Sequence, residues 1–193
     1  MEEVTISGVG QFEGGGAAIS LVKYEGGLVS VSILFPDREN RVCTYDGPGA
    51  VLYACSLAAY EAAQFLRRHF SELGSICTKW NFSSGDRMEA IYVLFKIRAM
   101  TQAASQFFAE AKEKLNCDFP GYDRLLSIAD QIGDEILENE NWRPSKKDLT
   151  GISKALGQLG PITAWASKQM QEAYRSGGGP VFWAHSTDPV RKK

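Results

Sequence analysis

The apolar pattern of the chain changes period once, near residue 48, and that change limits the possible folds more than any motif does. Before it, Val29, Val31, Ile33 and Phe35 alternate with Ser30, Ser32 and Leu34, and Ile19 and Leu21 alternate with Ser20 and Val22. Such a period of two marks a strand with one face buried and one face wet. After it, Ala50, Ala54, Ala58 and Ala62 recur every four residues, while Val51, Leu52, Cys55, Leu57, Phe65 and Leu66 fill the remaining faces. That spacing is helical, and a stripe of small residues lets a neighbour come close. Strands first and helices after predict an α+β fold.

The local signals divide the chain further. Val4 and Ile6 open a first strand, and Glu25-Gly26-Gly27 breaks the next two, because paired glycines reach the positive φ of a tight hairpin. A polar turn at 37–40 precedes a last strand over 41–46. The expectation is an antiparallel four-stranded meander over 1–46, covered by an alanine-rich helix over 49–72 with a second helix on its back. The meander has one apolar face and one serine-rich face. Over 86–175 three or four helices follow. Asp86 with Glu89 reads as a capping box opening a helix that runs to about Leu115. Asp118-Phe119-Pro120-Gly121 ends it, and Leu125, Ile128, Ala129, Ile132 and Ile136 mark the next. Ser145 and Asp148 cap a last stretch, which Gly160-Pro161 is expected to interrupt because proline lacks a donor. Residues 1–175 thus read as one domain. Residues 176–193 read as a tail hinged on Gly177, Gly178 and Gly179.

Glycines at 8, 10, 14, 15 and 16, in GVGQFEGGG, raise the question of a phosphate loop. A dinucleotide fingerprint needs a helix directly after the glycines, with its N-terminus facing the pyrophosphate. Here Ala17-Ala18-Ile19-Ser20-Leu21-Val22 follows and reads as a strand. No G-K-[ST] is present for a Walker loop, and neither H-R-D nor D-F-G accompanies a kinase-like reading. No nucleotide is expected. A wide hairpin or bulge, with glycine supplying positive φ, is the simpler reading.

Bulk properties narrow the function class. A net charge of −2 on 193 residues gives no broad basic field, which argues against a nucleic-acid binder. The first residues, MEEVTISG, lack the basic start and apolar core of a secretory signal. The apolar run over 50–66 carries Glu61 and Gln64 and stops at Arg67-Arg68-His69, so a buried helix is preferred to a membrane span. Cys43, Cys55, Cys77 and Cys117 form no C-x-x-C pair, so reduced thiols in a cytoplasmic chain are expected, with no metal and no cofactor.

Candidate working residues are few. The two histidines are His69, expected at a helix C-terminus beside basic neighbours, and His185, on the tail. Asp130, Asp134 and Glu138 share one face of the third helix but lack the Glu-x-x-His pairs of a di-metal bundle. A solvated acidic face is the plainer reading. Phe182 and Trp183 follow the glycine hinge, where large aromatics either dock on their own domain or anchor in another chain. These observations favour a non-enzymatic interaction protein, of inhibitor, immunity or accessory type, acting through surface complementarity. Asp130, Asp134, Glu138, Phe182 and Trp183 would be its surfaces, and its partner another protein or a second copy of itself. The alternative is a ligand-binding protein or enzyme with a helix–sheet cleft at His69, Cys77, Trp80 and Tyr92. A third reading holds nucleic acid on Arg67, Arg68, Lys79, Trp80 and Arg87, but the cluster is short and the chain acidic.

Overall fold

The computed structural model describes residues 4–12, 15–37, 39–177 and 179–183, the last run as a backbone strand. Four strands, β1 (Val4–Phe12), β2 (Gly15–Lys23), β3 (Val29–Leu34) and β4 (Asn40–Asp46), form an antiparallel meander in chain order. Four helices follow: α1 (Ala50–Cys77), α2 (Ser84–Leu115), α3 (Asp123–Glu138) and α4 (Lys146–Arg175). A fifth strand, β5 (Gly179–Trp183), then pairs antiparallel with β4, so the sheet order is β1-β2-β3-β4-β5.

The alternation in the first strands sorts residues to two faces. Ile6, Ile19, Leu21, Val31 and Ile33 are all at most 1% exposed on the inner face. Between β2 and β3, Gly26 and Gly27 both take φ of +91°, the conformation that paired glycines allow without strain. On the inner face, α1 lies over β2, β3 and β4 while α2 lies over β1 and β2. In the third layer α4 packs along α1 and α3 along α2. Gly49 meets Ala173, and Gly74 meets Ile152, so α1 and α4 run antiparallel over their whole length. Sandwiched in this way, α1 fully buries Leu66, Phe70 and Leu73. Each such side chain contributes about 1.5–3 kcal/mol.

Three boundaries differ from the sequence reading. The covering helix α1 continues to Cys77, past residue 72, because Leu73 and Ile76 extend its buried stripe beyond the basic triplet. α2 begins at Ser84, with Ser83 as its cap. The Asp86 N–H donates to Ser83 Oγ at 3.2 Å and the Ser83 N–H donates to Asp86 Oδ2 at 2.8 Å, so Asp86 closes the box that it was expected to open. α4 runs unbroken through Pro161, flanked by the box of Ser145 and Asp148 that the sequence indicated. Pro161 and Gly157, the residue four before it, are both exposed, so water can take the place of the donor that proline removes.

The glycines of β1 answer the question raised by their spacing. Gly8 and Gly10 are strand residues facing α2, not a loop, and neither has positive φ. A Cβ on Gly8 would stand 2.0 Å from the Ala103 carbonyl oxygen, and one on Gly10 would stand 1.8 Å from that of Ala99. Glycine is needed here because helix and strand touch backbone to backbone. That closeness lets a stripe of α2 reach around the sheet edge. Ser7 N–H donates to Glu110 Oε2 at 3.0 Å, Val9 N–H donates to Gln106 Oε1 at 3.1 Å, and Lys114 Nζ donates to the Thr5 carbonyl at 2.6 Å. Three outward groups of edge strand β1 are thus occupied by side chains spaced i, i+4 and i+8 on one helix. Edges left open invite pairing with other chains.

Candidate functional site

His69 sits inside α1, not at its end. It is 5% exposed, stacks on the Phe65 ring at 4.0 Å, and places Nδ1 2.9 Å from the Phe65 carbonyl oxygen. Since a carbonyl only accepts, Nδ1 carries the proton. Burial pulls its pKa below the ordinary histidine value, against the opposing effect of that hydrogen bond. Cys77 is buried too, and desolvation, aided by the nearby charge of Asp148, pushes its thiol up to about 12. The thiolate is the reactive form, so this environment suppresses nucleophilic chemistry. Eight residues separate His69 from Cys77 on one helix, which is about 12 Å along the axis. The other two members of that set face water: Trp80 is 98% exposed and Tyr92 is 62% exposed. The structure does not gather these four into one cleft.

The acidic residues of α3 are held, not free. Arg98 of α2 brings Nε to 2.8 Å from Asp130 Oδ1 and Nη2 to 3.8 Å from Asp134 Oδ1. Gly133, between them, leaves room for the guanidinium: a Cβ there would stand 3.0 Å from Arg98 Nη1. Asp130 and Asp134 thus help fasten α3 to α2, while Glu138 is exposed at the helix end. Among the described residues no group of three or more His, Cys, Asp or Glu could hold a metal ion. Phe182 and Trp183 lie in β5, opposite Thr44 and Cys43 of β4, with a register shift between Thr44 and Tyr45. His185 and residues 191–193 lie outside the described residues. No helix among the described residues is long and apolar enough to cross a membrane.

Two surfaces emerge instead. The first is the corner between α1 and α2. Thr78 closes α1 by donating its N–H to the Gly74 carbonyl at 3.1 Å and its Oγ1 to the same oxygen at 2.8 Å. Lys79 then reaches across to Asp86 at 2.6 Å and Glu89 at 3.4 Å. That contact, with the hydrogen bonds from Ser83, holds the Asp86 carboxyl down at about 2. Phe82 is buried edge-on against Trp142 at 5.7 Å. Trp80 is therefore bracketed by anchored residues while its own indole stands in water. Met88 and Tyr92, 46% and 62% exposed, sit one turn apart on the adjoining helix. Next to this corner, Phe82, Ser83, Arg87, Asn141 and Trp142 line a cavity of about 150 Å³. Its Arg87 is already engaged, donating to the carbonyls of Ile136 at 2.6 Å and Asn139 at 3.2 Å.

The second is the outer face of the sheet, which no helix among the described residues covers. Its register gives three transverse rows: Val9, Ala18, Leu34 and Asn40; Ser7, Ser20, Ser32 and Val42; and Thr5, Val22, Ser30 and Thr44. None of these twelve side chains is charged, and Val9, Leu34 and Val42 are 46%, 40% and 36% exposed. The alternation of the strands predicts such a face, but not that it stays uncovered.

No family model, curated protein or solved structure matches this chain.

Proposed function

We propose that this chain is a protein-interaction module of inhibitor, immunity or accessory type, acting through surface complementarity, and that Trp80 is the centre of its working surface. The observation that carries this reading is an indole 98% exposed on a connection whose neighbours are fixed on both sides. Tryptophan dominates interface energetics because its burial removes a large apolar area and still leaves one N–H for a partner. A pre-fixed corner also loses little conformational freedom on binding. Met88 and Tyr92 extend the apolar surface along α2, and Lys79, Asp86 and Glu89 supply the charged rim that such interfaces use to exclude water.

The test is affinity capture with the full-length chain beside Trp80→Ala and Trp80→Ala/Tyr92→Ala variants. The expected result is a protein retained by the parent chain, weakened by the single variant and lost with the double one, while thermal unfolding midpoints stay equal. Equal retention by all three chains overturns the reading.

A further inference from the structure

Among the described residues no helix covers the outer face of the sheet. Along edge strand β1, Gln106, Glu110 and Lys114 take up three outward backbone groups, and β5 pairs with β4 as the opposite edge strand. Strand addition at β1 is thereby hindered, while the outer face offers a broad surface for association. We propose that the face binds the same face of a second copy, so that two sheets stack into a sandwich across a two-fold axis. This inference is independent of the Trp80 corner, which joins α1 to α2 and shares no residue with the rows of the outer face.

Three features favour a second copy over an unlike partner. In a two-fold contact each patch meets itself, so any charged group near the axis meets its own kind. The three rows between Thr5 and Thr44 hold none, and Asp46 stands only at the rim. The polar groups along the rows are the hydroxyls of Ser7, Ser20, Ser32, Ser30, Thr5 and Thr44 and the amide of Asn40, each both donor and acceptor, so a face made of them satisfies its own image. An antiparallel face that is permanently wet is under no pressure to exclude lysine and glutamate, whereas one covered by its own image is. The size is also adequate. Four strands about 4.8 Å apart and about 20–30 Å long give about 400–600 Å² per copy, or about 800–1,200 Å² buried in total, the size of a weak, concentration-dependent interface. Flat, short side chains suit the ~10 Å separation of stacked sheets.

The experiment is light scattering coupled to gel filtration on the full chain across a concentration series up to about 100 µM, the regime in which small interfaces associate. The parent chain is expected to approach twice its 21.2 kDa mass. Ser20→Lys/Ser32→Lys and Ser20→Glu/Ser32→Glu are each expected to run as monomers with far-ultraviolet spectra unchanged. Mixing the two charged variants should restore the dimer, and salt should weaken that mixed species. Should either double variant fail to fold, Ser20→Lys with Ser20→Glu repeats the mixing test with one substitution per chain. A parent chain that stays monomeric overturns the proposal, as does a dimer that persists in the charged variants. If the sandwich fails while Trp80→Ala still weakens capture, the corner reading stands alone, and the converse outcome separates them the other way.

Discussion

Gly10 lies with its Cα against the main chain of Ala99, so close that a Cβ at residue 10 would stand 1.8 Å from the Ala99 carbonyl oxygen. No side-chain rotation relieves that overlap, because both parties are backbone. Gly10→Ala is therefore expected to destabilise by about 3 kcal/mol, the upper end of overpacking costs, and Gly8→Ala by a similar amount. In a chain of this size that lowers the melting temperature by roughly 6–12 °C. Gly157→Ala is the control. It is exposed in α4 with nothing within 4 Å, so it should raise stability by about 0.5–1 kcal/mol. Calorimetry on the three variants checks both signs.

The seal on β1 should show itself in solution behaviour more than in stability. Gln106→Ala/Glu110→Ala frees the N–H groups of Ser7 and Val9, at a cost of about 0.5–1 kcal/mol per bond since water can replace each. The larger effect expected is slow, concentration-dependent growth of light scattering, with binding of an amyloid dye. Acid should act in the same direction. Lys114 and then Ser7 hold the Glu110 carboxyl below its usual value, so its contribution is full above the ordinary glutamate range. It is lost as pH falls through the lowered one. Scattering that stays flat at both neutral and acid pH contradicts this.

Arg41 on the inner side of β4 is paired with Glu61 of α1, whose side chain is 8% exposed, and lies over the Phe35 ring at 5.2 Å. Removing the cation alone leaves a buried carboxylate without its main counter-charge. Arg41→Met is expected to cost about 2–4 kcal/mol, whereas Arg41→Met/Glu61→Met should recover much of that loss. Urea unfolding of the two single variants and the double variant measures the coupling. Additive losses would show that the pair does not act as a unit.

The pH dependence of stability carries the mark of His69. Its folded pKa is lowered chiefly by burial, so near pH 6 the unfolded chain takes up a proton that the folded chain refuses. Stability should therefore fall as pH drops below about 6.5, by at most about 1.4 kcal/mol per unit, until the folded pKa is reached. Above about 6.5 this contribution is flat. His69→Gln should remove the slope between pH 5 and 7 relative to the parent. A slope equal in both chains would place the titration elsewhere.

The order of strands and helices was legible because it rests on periodicity, which needs only neighbouring residues: Val29 to Phe35 alternate, and Ala50 to Ala62 recur every four. The turn at Gly26 and Gly27 and the box at Ser145 and Asp148 were readable for the same reason. The role of Gly8 and Gly10 was not, since their partners Ala103 and Ala99 lie about ninety residues away and nothing local distinguishes close approach from a positive-φ turn. A signal did exist on the other side: the stripe of Gln106, Glu110 and Lys114 has a spacing that an edge-capping helix would show. His69 is not legible as a buried residue because three basic or titratable residues in a row resemble a helix end, while its burial is a tertiary fact. Trp80 was grouped with a cleft by its neighbours in sequence, and only the anchoring of Lys79 and Phe82 reveals that it points outward.

The meander leaves the ribosome long before the segments that close it. Ser7 and Glu110 are 103 residues apart, and β5 lies still further along than α2. At about 5–20 residues per second, the nascent sheet spends on the order of five to twenty seconds with its first edge open, and longer with the other. A sheet whose first edge waits that long is exposed to pairing with other chains during synthesis.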